Sequence, residues 1–231
     1  MTNIYSPAEL SALLKQHGIA PLKSLGQNFL IDQNVVEKIA QAAVEPGGNV
    51  LEVGPGPGAL TLQLARRAGK VVAIEIDRGM LGVLEESLAG YEQVQVLHAD
   101  FLKVDLEEIS RTYFGGQPFS VAGNLPYYIT AKCILKVLES PVQAQRFTAM
   151  VQQEVAERLV AQPGDKNYCF GSVLRRRGDP FPGGPAMLYA GAGSGFGDRA
   201  VCAAGGCTGR AAGLCKNGAR AFCHASQDNC Q

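Results

Sequence analysis

No run in this 231-residue chain is long and apolar enough to cross a membrane, tryptophan is absent, and the formal net charge is zero. The first absence argues against a helical membrane protein. The balance of 21 basic against 21 acidic residues removes any general attraction to phosphate as a clue to function. Residues Met1 to Pro7 lack a basic start followed by an apolar core, so they do not resemble a secretory signal, and a cytoplasmic location is the default expectation. A hydrophobic content of 46% is ample for a core.

The deficits are uneven. Residues 169–231 contain no Glu and no Ile, and Val173 and Val201 are their only β-branched aliphatics. They carry 7 Lys+Arg against 3 Asp+Glu, whereas residues 1–168 carry 14 against 18. Six of the seven cysteines and 13 of the 28 glycines also fall in those last 63 residues. Two kinds of sequence are joined here, a domain over 1–168 and a tail over 169–231. Such a tail has little apolar surface to offset its ordering entropy, so poor order is expected. Its cysteines contain no C-x-x-C pair and fit no zinc spacing, so no metal is expected. Disulfides do not suit a cytoplasmic chain.

Within 1–168, helix and strand signals alternate. Ser6, Pro7 and Glu9 form the start of a helix that Gly18 ends, with Ser6 as cap and Glu9 closing a capping box. Asp32 caps a second helix, with Val35, Val36, Ile39, Ala40 and Ala43 on one face. Buried strands are expected at 49–53, 70–76, 94–99, 119–123 and 147–152. Helices are expected at 59–68, 80–89, 130–139 and 153–160. This alternation predicts an α/β fold with a parallel, doubly wound, Rossmann-like sheet.

In such a sheet a ligand lies beyond the carboxyl ends of the strands, at the first strand-to-helix turn. That turn is Glu52-Val53-Gly54-Pro55-Gly56-Pro57-Gly58, whose glycines let the backbone approach a ligand closely. Glu75, near the end of the second strand, is placed to accept hydrogen bonds from two ribose hydroxyls. Asp100, just past the third, is placed to accept an adenine amine. A dinucleotide would use similar groups, but it typically prefers G-x-G-x-x-G, and here the spacing is G-x-G-x-G with two prolines.

Asn124-Leu125-Pro126-Tyr127 follows the fourth strand and gathers an amide oxygen, backbone carbonyls and an aromatic face. An aromatic amine is a poor nucleophile because its lone pair is delocalised into the ring. If the Asn124 oxygen and the carbonyl of Leu125 or Pro126 accept its two protons, the nitrogen can become tetrahedral and attack a sulfonium methyl in line. Tyr127 would stack on the base, and Tyr128 or Phe29 would close the pocket. The pattern points to methyl transfer onto adenine.

These residues resemble a known family, the small-subunit ribosomal RNA adenine dimethyltransferases of the KsgA type. The resemblance rests on Leu25-Gly26-Gln27-Asn28-Phe29-Leu30-Ile31-Asp32, Leu51 to Gly56, Ile74-Glu75-Ile76-Asp77, His98-Ala99-Asp100, Gly123 to Tyr127 and Gln153 to Leu159. It implies S-adenosyl-L-methionine as cofactor, with contacts from Asn28, Leu30, Gly54, Glu75, Asp100 and Asn124. Asn124, Leu125, Pro126 and Tyr127 would form the catalytic edge. It further implies a monomer that binds the small ribosomal subunit and dimethylates two adjacent adenines of 16S ribosomal RNA. Two alternatives stay open: an adenine methyltransferase of large-subunit RNA, and a non-catalytic ribosome-assembly or RNA-binding factor.

The resemblance ends after Tyr168, where family members continue into further strands and a helical RNA-binding domain. Joining the last two bases of each codon to the first of the next lets Gly183 to Val201 encode EVPPCFMPAPEVDSAIVR. Leu214 to Gln231 can likewise encode FVKMVRA, one open position, then FAMRRKTIV. Both strings have the family's pattern. The tail is therefore expected to be a frameshifted product, with the break between Tyr168 and Asp179. On that expectation the sheet is incomplete at its C-terminal strands and the product is impaired.

Overall fold

The computed structural model describes residues 3–19, 29–125, 127–142, 144–152, 186–191 and 199–203. Two helices lead the chain. In α1, Pro7–Gln16, the Ser6 hydroxyl accepts from the Glu9 amide at 3.5 Å. The reciprocal half of the expected capping box goes elsewhere: Glu9 Oε2 accepts from the Asn3 amide at 2.8 Å. In α2, Gln33–Ala43, the Asp32 carboxylate accepts from the amides of Asn34 and Val35, at 3.0 and 3.3 Å. Both first turns thereby satisfy donors that a helix cannot satisfy internally.

The alternation then appears as β1 (Asn49–Val53), α3 (Ala59–Ala65), β2 (Lys70–Glu75), α4 (Arg78–Ser87) and β3 (Val94–His98). It continues as α5 (Leu106–Phe114), β4 (Phe119–Asn124), α6 (Tyr127–Glu139) and β5 (Phe147–Gln152). The strands stand in the order β3-β2-β1-β4-β5, all parallel. The doubly wound parallel sheet expected from the alternation is what the chain builds. Its central strands are buried on both faces, as their apolar runs require. Leu51, Val53, Val72, Ile74 and Val121 pack on one side with Phe101, Phe114, Phe119 and α6. Val50, Val71 and Ala122 pack on the other with α2 and α3. Helix α1 closes a third cluster against α4 through Leu10, Leu13, Leu14, Met80, Val83 and Leu84.

Helices α3 and α4 depart by two or three residues from their expected limits, and three further differences stand out. Helix α5 was not anticipated, although its signals are present: the Asp105 carboxylate accepts from the Glu107 amide at 2.8 Å, and Gly115 ends it at φ 61°. Helix α6 starts at Tyr127 rather than Thr130, three residues after β4 ends at Asn124. The third difference is a correction. The tail was expected to leave the sheet without its last strands, yet β6 (Ala186–Gly191) pairs parallel with β5, and β7 (Arg199–Ala203) pairs antiparallel with β6. The physical reason is the open edge of β5, whose unpaired amides and carbonyls offer hydrogen bonds to an extended segment. The helix expected at 153–160 lies outside the described residues, as do Leu25 to Asn28 and Pro126.

Candidate functional site

The carboxyl ends of β1 to β4 lie side by side because those strands are neighbours in the sheet. Val53 stands opposite Ile74 on one side and Gly123 on the other, and Glu75 stands opposite His98. Gly54, Glu75, Asp100 and Asn124 therefore sit at or just past four adjacent strand ends. At a strand spacing of about 4.8 Å that rim spans roughly 15 Å.

The glycine turn opens it. Gly54 and Gly56 take φ of 66° and 56°, left-handed values that strain any residue with a side chain. The Gly54 amide still donates to Ile74 O at 2.9 Å, continuing the ladder, and two residues later the Gly56 amide donates to Glu75 Oε2 at 3.0 Å. A Cβ on Gly56 would stand 3.6 Å from the Phe29 ring, so Phe29 lies against the turn. The Leu30 side chain instead packs into the cluster beneath α2 and α3. Any contact it makes with a ligand at this rim would come from its backbone.

Glu75 is held on both oxygens, because Oε1 also accepts from the Asp77 amide at 2.8 Å. A carboxylate has about four acceptor positions, so about two remain on a group whose orientation is already set. Burial to 5% exposure pushes its pKa up, against the lowering effect of the Asp77, Gly56 and Ile76 amides. Next to it, Ile76 is 65% exposed, the one large hydrophobic side chain so placed among the described residues. Sequence reading passed over Ile76. Its signal was position, an aliphatic immediately after the acid at a strand end, where it offers a flat apolar face.

Behind the turn lies Glu52, 1% exposed, with Oε2 lacking any hydrogen-bond partner. Burial pushes its carboxyl up to about 8; the neighbouring Thr61 hydroxyl opposes this and the Glu75 charge adds to it. No well-formed hydrogen bond reaches Thr61 Oγ1, so desolvation prevails and the acid keeps its proton at neutral pH.

Asp100 is half-buried, and its Oδ1 accepts from the Leu102 amide at 2.9 Å. Asn124 ends β4, half-buried, between Val53 and the Met150 register of β5. Leu125 turns its side chain into the core, 3% exposed, which fixes where the chain leaves the strand. Tyr127 is placed as the first residue of α6. Asn28 and Pro126 lie outside the described residues. Among those described, no three His, Cys, Asp or Glu side chains gather as a metal site, and no helix is long and apolar enough to cross a membrane.

Comparison with known proteins identifies the family to which the matched residues belong. The family model described as ribosomal RNA adenine dimethylase matches residues 21–177. The ribosomal RNA small subunit methyltransferase A of Shouchella clausii is 47% identical over 168 residues, which cover 72% of this chain and 57% of that protein. Its counterpart from Moorella thermoacetica is 46% identical over 180 residues, 75% of this chain and 62% of that protein. Among solved structures, the 23S rRNA methyltransferase ErmE is similar with a TM-score of 0.50 and 36% identity, over 57% of this chain and 50% of that one. The matched region thus spans about three-fifths of the length of these curated relatives.

Proposed function

The chain belongs to the ribosomal RNA adenine dimethylase family, and on that premise we propose that its strand-end rim binds S-adenosyl-L-methionine and serves dimethylation of two adjacent adenines in 16S ribosomal RNA. The observation that carries this is Glu75. A buried carboxylate, fixed by two amides and retaining two acceptor positions, suits the vicinal hydroxyls of a ribose. The exposed face of Ile76 suits the adenine ring beside that ribose, and Asp100, just past the end of β3, suits its amine.

S-adenosylmethionine supplies an electrophilic methyl on a sulfonium. The chain's own part is positioning. Asn124 and the carbonyls of the Leu125-Pro126 segment accept the protons of the target amine, which frees the nitrogen lone pair. With the cofactor bound, transfer would exchange its S–C bond for an N–C bond, and the amine proton would pass to solvent. No strong general base is needed. Asn124 stands at the end of β4, beside the β1 end that carries the glycine turn, and this proximity supports the reading.

The small-subunit reading is preferred over the large-subunit one because its relatives share 47% identity over 72% of the chain, against 36% over 57% for ErmE. The full reaction on ribosomal subunits belongs to the longer relatives, and we assign it here to the frame-restored chain. From a break between Tyr168 and Asp179 onward, the tail is the shifted reading of the family's last strands and RNA-binding domain, and the protein acts as a cytoplasmic monomer. Methyl incorporation into unmethylated small subunits, compared between the chain as given and a single-base frame correction, tests this. Incorporation into large-subunit RNA alone would overturn the substrate assignment.

A further inference from the structure

A lysine joins the two halves of the site. Lys136 lies in the third turn of α6 and sends its ammonium to two backbone carbonyls, Leu102 O at 3.1 Å and Val104 O at 2.6 Å. Those carbonyls belong to the turn that carries Asp100. That turn is already wound tightly: Asp100 Oδ1 accepts from the Leu102 amide at 2.9 Å, and Asp100 O accepts from the amides of Lys103 and Val104 at 2.9 and 3.2 Å. Phe101 anchors it from below, buried in one cluster with Cys133, Ile134 and Val137 of α6. Asp105, the next residue, caps α5. A charged donor bridging two carbonyls makes stronger bonds than a neutral one and fixes their separation. Lys136 is half-buried, so its ammonium gives up part of its hydration to make them.

The charged groups near this lysine include Asp100, whose Oδ2 also pairs with the exposed Lys103 Nζ at 3.5 Å. Cys133, one turn earlier on α6, has its thiol pushed up to about 11 by burial, with the Asp100 charge next in weight and Lys136 opposing. Asp100, Cys133 and Lys136 thus share one small space between α6 and the turn. The same helix begins at Tyr127, so its first turn belongs to the proposed methyl-transfer edge while its third turn grips the Asp100 turn.

We propose that Lys136 is a positioning residue, which holds Asp100 at the cofactor's adenine and ties that turn to the helix carrying the Asn124 to Tyr127 edge. This rests on the reading of the rim as an S-adenosylmethionine site. For a lysine that served stability alone, the effect of its substitution on cofactor affinity would be the same with or without Asp100.

The test uses the full chain with Lys136→Met, which keeps the stem and loses the donors, and Lys136→Arg, which keeps the charge. Hydrogen exchange without ligand is expected to speed up about tenfold or more at the Leu102, Lys103 and Val104 amides in Lys136→Met, with β1 unchanged and Lys136→Arg near wild type. Calorimetric titration with S-adenosylmethionine is expected to show about tenfold weaker binding in Lys136→Met, restored by Lys136→Arg. In an Asp100→Asn background the same substitution should change affinity by less than about twofold, as coupled residues require. If Lys136→Met loses protection throughout β1, Lys136→Gln replaces it in both measurements. Unchanged exchange in the turn, or an equal loss of affinity in the Asp100→Asn background, overturns the role of Lys136. A wild-type chain that binds no S-adenosylmethionine overturns the cofactor reading, and with it the lysine's role toward adenine. Normal wild-type binding with unaltered exchange overturns the lysine alone.

Discussion

Residues 49–125 and residues 186–203 both contribute strands to one sheet, yet they do so for different reasons. In the first region every level agrees. Apolar runs make β1, β2 and β4, aspartates cap α4 and α5, and the side chains fill clusters on both faces. In the second region the local signals are thin, and β6 and β7 add to an edge that β5 leaves open. A strand can be specified by its side chains or merely accommodated by a neighbour's unpaired backbone. Only the first kind carries the site.

The comparison breaks most visibly at the level of turnover. If 186–203 merely occupies the place of the family's last strands, the chain as given should incorporate methyl groups into small subunits at least about 100-fold more slowly than the frame-restored chain. A loss of this size follows from losing the positioning of the substrate, where misplacement by about 1 Å costs about 100-fold. Equal incorporation would show that the tail is a functional segment and that the shifted frame is wrong.

Within the frame-restored chain, Asn124→Ala should lower methyl transfer by about 100-fold or more while changing cofactor affinity by only a few fold, since a lost transition-state acceptor acts on rate. Parallel loss of rate and affinity would place Asn124 with the cofactor alone. Glu75→Ala should weaken S-adenosylmethionine binding by about 1.5 to 3 kcal/mol, the worth of charge-assisted hydrogen bonds. The effect should appear in the chain as given as well, because Glu75 and its amide donors lie in the self-specified region. Calorimetry showing equal affinities would remove Glu75 from the ribose.

Much of this was legible beforehand. The strand limits of β1 and β5 match the apolar runs residue for residue, and Ser6 and Asp32 cap the helices their positions predict. The candidate site residues were visible because the strand pattern places Glu75, Asp100 and Asn124 at or just past adjacent strand ends, where a doubly wound sheet binds its ligand. Helix α5 escaped notice because its four buried residues, Leu106, Ile109, Ser110 and Phe114, include only three hydrophobic ones. The contact of Lys136 with the Asp100 turn was invisible, since it spans 32 to 34 residues and depends on packing that no local pattern encodes. Strands β6 and β7 were not anticipated because the sequence around them lacks the apolar alternation and β-branched residues that mark a strand.

The smallest effect sharpens the comparison from inside the well-specified region. Glu52 is an acid whose native pKa, about 8, lies above its ordinary 4.5, so the folded state binds its proton more tightly across that interval. Stability linked to Glu52 is therefore fully present below about pH 4.5 and declines as pH rises through 8. The groups facing it do not reverse the sign: Glu75 and Tyr5 add only negative charge when ionised, and the Thr61 hydroxyl offers limited compensation. Glu52→Gln removes the ionisation while keeping the shape. The variant should match wild type at pH 5 and exceed it by about 1 to 3 kcal/mol at pH 9, a gap well under the full shift because a buried site relaxes on ionising. Thermal unfolding of both proteins across that range reads the difference directly. A gap that stays constant with pH would mean that Glu52 is already ionised in the fold, and that the pocket behind the glycine turn holds a charge rather than a neutral acid.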